Sequence, residues 1–434
     1  SWSFENGRVL YVVYCSGISK YCASEIIGIQ DISSKFWCML SRKILKIALQ
    51  FARGRSKMAA NGQSLDLERL VRPNILSLKP YRCARDENKG RDGLFMDANE
   101  NGYGSCIPVA GELHRYPDPY QVELKTRIAA FRGVAADQIF LGVGSDEAID
   151  MIIRVFCAPG QHSILVTPPT YGMYKVSAAI NDVSVQCVDL TPEFQLKVEE
   201  VLDAVVEETR VIFLCSPNNP AGETLHTADI RRILESPRFT GVVVIDEAYV
   251  DFSARGSLVT LVDEFPRLIV MQTLSKSFGL AGIRLGWAIA HRSIVSIFNN
   301  VKAPYNVSRL TAEMGLKAMS EEGVSAMKDT VAKIVEHKQA MIAELEGMQG
   351  VLKVYPTDTN FIMIQVAATE ARGVYNRLAS ERGVVIRYRG DQTHCTGCMR
   401  ITVSKADENR RALDALAAEL KLLASDEPEA KRAN

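Results

Sequence analysis

Short apolar runs alternate with amphipathic segments along the middle of the chain, from Gln121 to Ala290. The apolar runs predict strands at 138–143, 163–167, 211–215, 241–245, 268–272 and 287–290. The segments between them have the helical period, as at 122–131 and 148–156. Almost continuously apolar strands that alternate with helices are typical of a parallel sheet covered by helices on both faces. We therefore predict an α/β domain with a mostly parallel central sheet.

The sequence after this domain changes to longer helices and fewer strands. Long helices are predicted within 308–349 and a closing helix over 412–423, with strands at 360–364 and 399–403. We therefore expect a large domain over 121–305, a smaller α/β C-terminal domain over 306–423, to which part of the N-terminal segment adds, and a polar tail over 424–434.

The sequence just before the large domain is rich in loops. Residues 58–120 contain a short helical segment over 65–71, which Pro73 is expected to end. A strand that begins at Leu94 is expected to run into a turn. We interpret 58–120 as an N-terminal arm that carries substrate and dimer loops.

Residues 1–57 differ in composition from the remainder, and within them 36–51 could form a helix. A targeting peptide is one interpretation. Transit peptides are poor in acidic residues, whereas this segment contains Glu5, Glu25 and Asp31. We favour an upstream extension without a role in the fold, since Met58 begins a start-like Met-Ala-Ala sequence.

Composition narrows the classes of function. The formal net charge is +0, so there is no overall basic field that would attract nucleic acid. No apolar run approaches the roughly 20 residues of a membrane-spanning helix. The 10 cysteines are scattered through a long chain, which suits free thiols in a reducing compartment. We expect a cytoplasmic protein that binds neither nucleic acid nor a membrane.

One Cys-x-x-Cys motif, Cys395 to Cys398, needs separate consideration. A structural zinc site usually requires a second such pair, and a redox motif usually stands in a thioredoxin-like context. The sequence provides neither at a suitable spacing. We expect ordinary loop thiols and no metal.

The stretch after the strand at 268–272 combines hydroxyls, a lysine and an arginine. Thr273, Ser275 and Arg284 are groups that suit a phosphate, and Lys276 between them suits an aldehyde that forms a Schiff base. Pyridoxal phosphate carries both of these groups. A Ser/Lys-rich surface loop is the alternative for this stretch alone.

Other polar residues follow the ends of neighbouring strands. Gly144, Ser145 and Asp146 open a helix, where they could cap its amides or leave them open to a phosphate. Ligands of parallel sheets bind beyond the carboxyl ends of the strands. The residues at or just past those ends are Gly144, Tyr171, Asn219, Asp246 and Lys276. Their convergence predicts one site at this edge.

Six ordered motifs resemble the fold-type I pyridoxal-phosphate-dependent aminotransferases. They are Gly144-Ser145-Asp146, Pro169-Thr170-Tyr171, Ser216-Pro217-Asn218-Asn219-Pro220, Asp246-Glu247-Ala248-Tyr249, Ser275-Lys276 and Arg284. The stretches 78–81, 97–101, 115–117 and 397–403 are similar to the histidinol-phosphate aminotransferase branch of that family in particular. The resemblance extends from about Leu65 to about Leu423, and it implies the fold-type I architecture of a large cofactor-binding domain and a smaller C-terminal domain.

The resemblance also implies roles for individual residues. Lys276 would bind the aldehyde of pyridoxal phosphate and move a proton during catalysis, and Asp246 would keep the pyridine nitrogen protonated. Asn219 and Tyr249 would hydrogen-bond the ring O3′ atom, and Tyr171 would stack on the ring. The phosphate would be held by Gly144, Ser145, Asp146, Thr273, Ser275 and Arg284, with Tyr116 added by the partner subunit of a homodimer.

The same resemblance implies a substrate site and a reaction. The matching substrate-binding positions are Tyr81, Asn99, Asn219, Arg387 and Arg400. For Arg387 a structural role is the alternative, because Arg389 lies beside it. The implied reaction converts L-histidinol phosphate and 2-oxoglutarate, reversibly, to imidazole-acetol phosphate and L-glutamate in histidine biosynthesis.

Two alternatives stay open on sequence alone. An aromatic amino-acid aminotransferase or an amino-acid-phosphate decarboxylase has the same fold. A non-catalytic regulator that binds pyridoxal phosphate is a further possibility, although residues 1–57 show no helix-turn-helix pattern and no strongly basic face.

Overall fold

The computed structural model describes residues 2–5, 8–11, 65–83, 94 and 96–425. The chain divides into two compact units, Ser1–Gly62 and Gln63–Asn434. In the first unit, strands β1 (Trp2–Glu5) and β2 (Arg8–Tyr11) form an antiparallel hairpin. The helix expected over 36–51 and most of the expected polar tail lie outside the described residues, as does most of the extension at 1–57.

The second unit begins with two short helices, α1 (Leu67–Leu70) and α2 (Pro73–Leu76). Asp66 caps α1 by accepting a hydrogen bond from the Arg69 N–H. The helical segment expected over 65–71 ends before Pro73, and Pro73 is itself the first residue of α2, where its missing N–H has no partner to lose.

The strand expected to begin at Leu94 is also absent from the described residues. Residues 94 and 96–102 form bends and the start of a turn. Asn99 has a φ of 54°, and the Glu100 carboxylate binds Arg115 at 2.7 Å and the Tyr116 N–H at 2.6 Å. Side-chain contacts, and not a strand ladder, therefore hold this part of the arm.

The central sheet of the second unit has seven strands in the order β3-β9-β8-β7-β6-β4-β5. Its strands are β3 (Ile139–Val143), β4 (Ser163–Val166), β5 (Ser184–Cys187), β6 (Thr209–Cys215), β7 (Val242–Asp246), β8 (Leu268–Thr273) and β9 (Leu285–Ala290). All pairs from β5 to β8 are parallel, whereas β9 is antiparallel to both β8 and β3. The expected mostly parallel sheet is confirmed. Strand β9 reverses because only a short loop, without a crossover helix, joins it to β8.

Helices cover both faces of this sheet. They are α3 (Val122–Arg132), α4 (Gly144–Phe156), α5 (Met173–Ile180), α6 (Val198–Asp203), α7 (Thr227–Glu235) and α8 (Arg292–Val301). Successive strand residues enter opposite core layers: Ile212 and Leu214 pack in one cluster, Val211 and Phe213 in the other. Burial on both faces explains why these strands are continuously apolar.

The C-terminal part adds a second sheet. It follows α9 (Arg309–Ala318) and α10 (Glu321–Gly347), and it consists of β10 (Val351–Val354), β11 (Phe361–Val366), β12 (Arg387–Tyr388) and β13 (Cys398–Thr402), with α11 (Ala368–Ser380) and α12 (Ala406–Ser425). The order is β10-β11-β13-β12, and every pair is antiparallel. This sheet lies within 306–423, the range expected for the smaller domain.

The two faces of the small sheet pack differently. Ile362 and Ile401 belong to a core cluster shared with helices α10, α11 and α12. Met363 and Cys398, on the opposite face, belong to a core cluster shared with the large sheet, and Phe361 packs on Tyr249. One face of the small sheet is therefore turned toward the residues that follow β7.

Candidate active site

The loop between β8 and β9 places two hydroxyls side by side. The Thr273 hydroxyl lies 2.9 Å from the Ser275 hydroxyl and accepts a hydrogen bond from the Ser275 N–H at 3.1 Å. The Leu274 N–H donates to the Leu285 carbonyl at 3.1 Å, so the start of the loop is held against β9. Lys276 follows directly, as the sequence predicted.

The start of helix α4 meets the end of the same loop. The Gly144 N–H donates to the Arg284 carbonyl at 2.9 Å, and a Cβ added to Gly144, which has a φ of 70°, would lie 2.5 Å from Arg284 Nη2. The N-cap residue is Val143, which offers no side-chain cap, and Ser145 and Asp146 lie inside the first turn. The capping interpretation of these two residues is therefore wrong, because they lie two and three residues after the N-cap position.

The Asp146 side chain contacts an arginine and a tyrosine. Its carboxylate lies 3.1 Å from Arg284 Nη2 and accepts a 3.2 Å hydrogen bond from the Tyr171 hydroxyl. Burial and the neighbouring Asp146 charge raise the pKa of Tyr171. Asp146 thus orients an arginine and an aromatic ring, which leaves its backbone N–H as the group suited to an anion.

Asp246 ends β7 as a buried carboxylate. It accepts hydrogen bonds from the Tyr174 hydroxyl at 2.7 Å and from the Ala248 N–H at 3.1 Å. Burial raises the pKa of Asp246, whereas these two donors, and the more distant Lys276, act in the opposite direction. Tyr174, Ala248 and Lys276 therefore stabilise the charged form of this carboxylate against the effect of burial.

Lys276 is a half-buried amine in the same pocket. Its Nζ atom lies 5.6 Å from the centroid of the Tyr249 ring. Burial, followed by the positive charge of Arg400, lowers the pKa of Lys276, and the charges of Asp246 and Asp146 partly oppose this. A lowered pKa increases the share of neutral amine, the form that acts as a nucleophile or base.

Arg400 connects the small sheet to the large domain. Its Nη1 donates to the Asn219 side-chain oxygen, and its guanidinium lies 4.8 Å from the Phe361 ring centroid. Phe361 in turn meets the Tyr249 ring edge-on at 5.3 Å. Burial, and then the charge of Arg387, lowers the pKa of Arg400, while Tyr249 acts in the opposite direction. Asn219, Tyr249 and Arg400 are thus brought together as the sequence predicted.

Three other predicted residues lie on the arm. Tyr116 stacks on Tyr305 at 4.6 Å, and Tyr81 lines a surface groove together with Tyr305 and Lys302. Asn99, Tyr81 and Tyr116 are all exposed. Arg387 is likewise exposed, although it lies opposite Arg400 in the β12–β13 pair.

Three residues of the site were not predicted from the sequence. Tyr174 binds Asp246, Phe361 packs between Tyr249 and Arg400, and Arg389 is a second guanidinium near Arg400. A signal existed for two of them: Tyr174 is a second tyrosine three residues after Tyr171, and Arg389 follows Arg387 by the strand period of two. Phe361 had no local signal, because its role depends on packing between domains.

Cys395 and Cys398 are both buried free thiols, and Cys398 Sγ lies 3.7 Å from the Tyr355 hydroxyl. In the described ranges, no group of three or more His, Cys, Asp or Glu side chains has an arrangement that could hold a metal ion. Within the same ranges, no helix has the length and apolar character needed to cross a bilayer.

Comparison with known proteins identifies relatives along most of the chain. Residues 96–416 match the family described as Aminotransferase class I and II. The histidinol-phosphate aminotransferase of Cytophaga hutchinsonii is 46% identical over 353 residues, which are 81% of this chain and 99% of that protein. The protein of the same name from Schizosaccharomyces pombe is 44% identical over 366 residues, with coverage of 79% and 95%.

A solved structure agrees with this comparison at the level of the fold. The crystal structure of histidinol-phosphate aminotransferase from Sinorhizobium meliloti in complex with pyridoxal-5'-phosphate is similar with a TM-score of 0.64 at 24% identity. The match covers 84% of this chain and 100% of that one.

The fold and the site therefore define a class I and II aminotransferase, and this chain belongs to that family. The expected resemblance to histidinol-phosphate aminotransferases, the fold-type I architecture and the enzymatic class are confirmed. Enzymes of this class depend on pyridoxal phosphate, which a lysine binds and an acidic residue tunes.

The residues present fit this cofactor. The helix start without a side-chain cap, the hydroxyl of Ser275 and the guanidinium of Arg284, for which Gly144 leaves room because it has no Cβ, suit its phosphate. A half-buried amine at Lys276 and a buried carboxylate at Asp246 suit its aldehyde and its pyridine nitrogen. The arrangement offers a complementary group for each polar end of the cofactor.

Proposed function

We propose that the protein transfers the amino group of L-histidinol phosphate to 2-oxoglutarate, reversibly, which gives imidazole-acetol phosphate and L-glutamate in histidine biosynthesis. The observation that carries the proposal is the contact of Arg400 with Asn219, which joins a small-domain guanidinium to the pocket of Lys276. A planar, charged donor suits both the phosphate of one substrate and a carboxylate of the other. Identities of 46% and 44% to enzymes named for histidinol phosphate support the same substrate.

Pyridoxal phosphate, when bound, supplies an electron sink next to the substrate carbon that loses its proton. Lys276 takes up and returns that proton, and its lowered pKa favours the neutral amine needed for the first step. The Asp246 carboxylate would hold a proton on the pyridine nitrogen by charge. Asn219 and Tyr249 would donate to the ring O3′ atom, and Tyr171 would pack on the ring face.

The phosphate of the cofactor is held by groups from α4 and the β8–β9 loop. Arg284 supplies the positive charge, and it lies 3.4 Å from the Ser275 hydroxyl. The hydroxyls of Thr273 and Ser145 add donors, and the first-turn amides of α4 add the helix dipole. The remaining contributors are Gly144, whose lack of a Cβ makes room for the Arg284 guanidinium, and the backbone of Asp146.

The substrate site is formed by residues of both domains and of the arm. Arg400 and Arg387 bind the anionic end of the substrate, Asn219 contacts its polar centre, and Tyr81 and Asn99 close the site. The position of Arg387, directly opposite Arg400 in the β12–β13 pair, supports this assignment.

A homodimer with composite active sites accounts for the exposed arm. Large apolar side chains are exposed there, with Leu94 and Met96 each 83% accessible and Tyr103 fully accessible. Exposed apolar surface of this kind is typical of an interface. We propose that the partner subunit covers the arm and that Tyr116 reaches the partner's cofactor phosphate.

We place the protein in the cytoplasm. Its free thiols suit a reducing compartment, and Cys157, Cys215, Cys395 and Cys398 are all buried and unpaired.

The test is a spectral titration of the cofactor-loaded protein. Histidinol phosphate should convert the absorbance of the aldehyde form of the cofactor to that of the amine form, and 2-oxoglutarate should restore the first spectrum. A faster half-reaction with phenylalanine would instead indicate an aromatic aminotransferase. Release of carbon dioxide from an amino-acid phosphate would indicate a decarboxylase, and a bound cofactor that reacts with no amine would indicate a non-catalytic regulator.

A further inference from the structure

Three arginines share one face of the small sheet. Arg387 lies directly opposite Arg400, and opposite residues of an antiparallel pair point to the same side. Arg389 follows Arg387 by two residues, so the strand period puts it on that side as well. Tyr388, between them, faces the helices, and the Arg372 Cζ atom lies 3.7 Å from the centroid of its ring.

Arg389 continues the ladder beyond β12, because its N–H donates to the Cys398 carbonyl at 2.9 Å. Arg389 is half-buried. Its Nε atom is buried and has no hydrogen-bond partner in the described part of the chain. Burial, and then the charges of Arg400 and Arg387, lowers the pKa of Arg389 to about 10. Its charge also acts on the Tyr249 hydroxyl, so the guanidinium lies near the pocket.

Such an arrangement of positive charge suits an anion. A buried donor without an acceptor is costly, and three guanidiniums on one face repel one another. An anion that accepts from Arg389 and neutralises charge between it and Arg400 would remove both costs. The competing explanation is local: Gln392 Oε1 is also buried without a partner among the described residues, and a side-chain rotation could pair it with Arg389.

We propose that Arg389 binds the phosphate of the phosphorylated substrate and makes the pocket prefer a phosphate dianion over a carboxylate. This inference rests on the proposed function, in which Arg400 receives both anions in turn. A phosphate group offers three terminal oxygens and nearly two charges, whereas a carboxylate offers two oxygens and one charge. A guanidinium beyond Arg400 therefore finds an additional acceptor on the phosphate only.

The experiment compares Arg389→Gln with Arg372→Gln, which removes an arginine of helix α11 that packs on Tyr388 at the opposite face of the sheet. Inorganic phosphate is titrated into each cofactor-loaded protein by calorimetry, and each half-reaction is followed separately with histidinol phosphate and with glutamate. In Arg389→Gln the affinities for phosphate and histidinol phosphate should each fall about 10-fold, the loss expected for one charge-assisted hydrogen bond. The affinity for glutamate should change much less, and Arg372→Gln should change none of them.

Equal losses toward glutamate and histidinol phosphate, or no loss toward either, would overturn the proposal. Unchanged phosphate binding with a lowered Tm would assign Arg389 to the pairing with Gln392 instead. Phosphate binding does not depend on turnover, so the phosphate-binding role of Arg389 and the proposed transamination can be refuted independently. A wild-type protein that binds inorganic phosphate through Arg389 but does not react with histidinol phosphate would refute the proposed function and retain this inference.

Discussion

The Tyr174 hydroxyl donates a 2.7 Å hydrogen bond to the Asp246 carboxylate inside the large domain. The Tyr174 ring is fixed from two sides, since it stacks on Phe213 at 4.8 Å and meets the edge of Tyr171 at 5.7 Å. The donor is thus oriented before any ligand binds. The bond favours the charged form of a carboxylate that burial would otherwise protonate.

Replacing Tyr174 by Phe should keep the ring stack and remove the donor. The pKa of Asp246 should rise further, because its charged form loses a charge-assisted hydrogen bond of about 1.5–3 kcal/mol. The acid limb of the pH–rate profile should therefore move to higher pH, since the carboxylate acts as an anion. The control is Tyr355→Phe, whose hydroxyl meets Cys398. An acid limb that stays in place in Tyr174→Phe would contradict the role of this bond.

Asp246→Asn should leave the protein folded and able to bind pyridoxal phosphate, but slow the single-turnover reaction. An amide cannot hold the pyridine nitrogen protonated by charge, so a loss of at least about tenfold is expected. Glu247→Gln is a matched control, because Glu247 is the adjacent buried carboxylate and binds Gln272 and Ser257 instead. Rates that fall equally in both variants would show a general packing effect.

The charge of Lys276 should make stability depend on pH in the cofactor-free protein. Because burial lowers the pKa of Lys276 below 10.5, the unfolded chain binds more protons at this group between the lowered pKa and 10.5. The free energy of unfolding therefore rises with pH between the lowered pKa and 10.5. Below the lowered pKa, the folded protein carries the full cost of burying the charged amine. Lys276→Met should raise the free energy of unfolding near neutral pH, and the gain should shrink toward pH 10.5.

Urea unfolding of the wild-type protein and of Lys276→Met at several pH values measures the difference in their free energies of unfolding. Lys175→Met, at an exposed lysine on α5, is the control for loss of a charge. A gain from Lys276→Met that grows with pH would refute the prediction.

Arg400→Lys should keep the positive charge and lose the planar fork. Both half-reactions should weaken together, each by about tenfold, because the same guanidinium receives the phosphate and the carboxylate. Rapid-mixing measurements of each half-reaction provide the test, with Arg372→Lys as control. A variant with one half-reaction impaired and the other intact would show that the two anions use different residues.

Lys338 is a buried amine that fixes the turn before β11. It donates to the carbonyls of Thr357 and Thr359 at 3.0 and 2.8 Å. The same turn reaches the large domain, since the Asp358 N–H donates to the Gly222 carbonyl at 2.8 Å. Lys338→Met should destabilise the protein by about 1–3 kcal/mol, because two buried carbonyls lose their donor.

Urea unfolding measures this loss, and turnover should fall as well because the loop of Asn219 loses support. Lys333→Met, an exposed position on α10, serves as control. Full stability of Lys338→Met would mean that water replaces the amine without cost.

Much of the fold could be predicted from the sequence because strands that are buried on both faces are continuously apolar, and this pattern is visible in short stretches of sequence. The strands β6, β7 and β8 needed only continuous apolar runs to be recognised, and residues directly after β7 and β8, such as Lys276, could be placed at one edge. The edge strand β5 was missed, since Ser184 and Gln186 interrupt its apolar character. The hydroxyls beside Lys276 were found because they are neighbours in the chain.

The residues that follow the parallel strands could be identified from local patterns, since the succession of strands along the chain and their apolar character are visible in the sequence. The contact of Tyr174 with Asp246, across 72 positions, and that of Arg400 with Asn219, across 181, became visible only in the folded structure. The reversal of β9 and the common face of Arg389 and Arg400 were decided in the same way. Such contacts depend on how helices and sheets pack on one another, and no short-range periodicity encodes that packing.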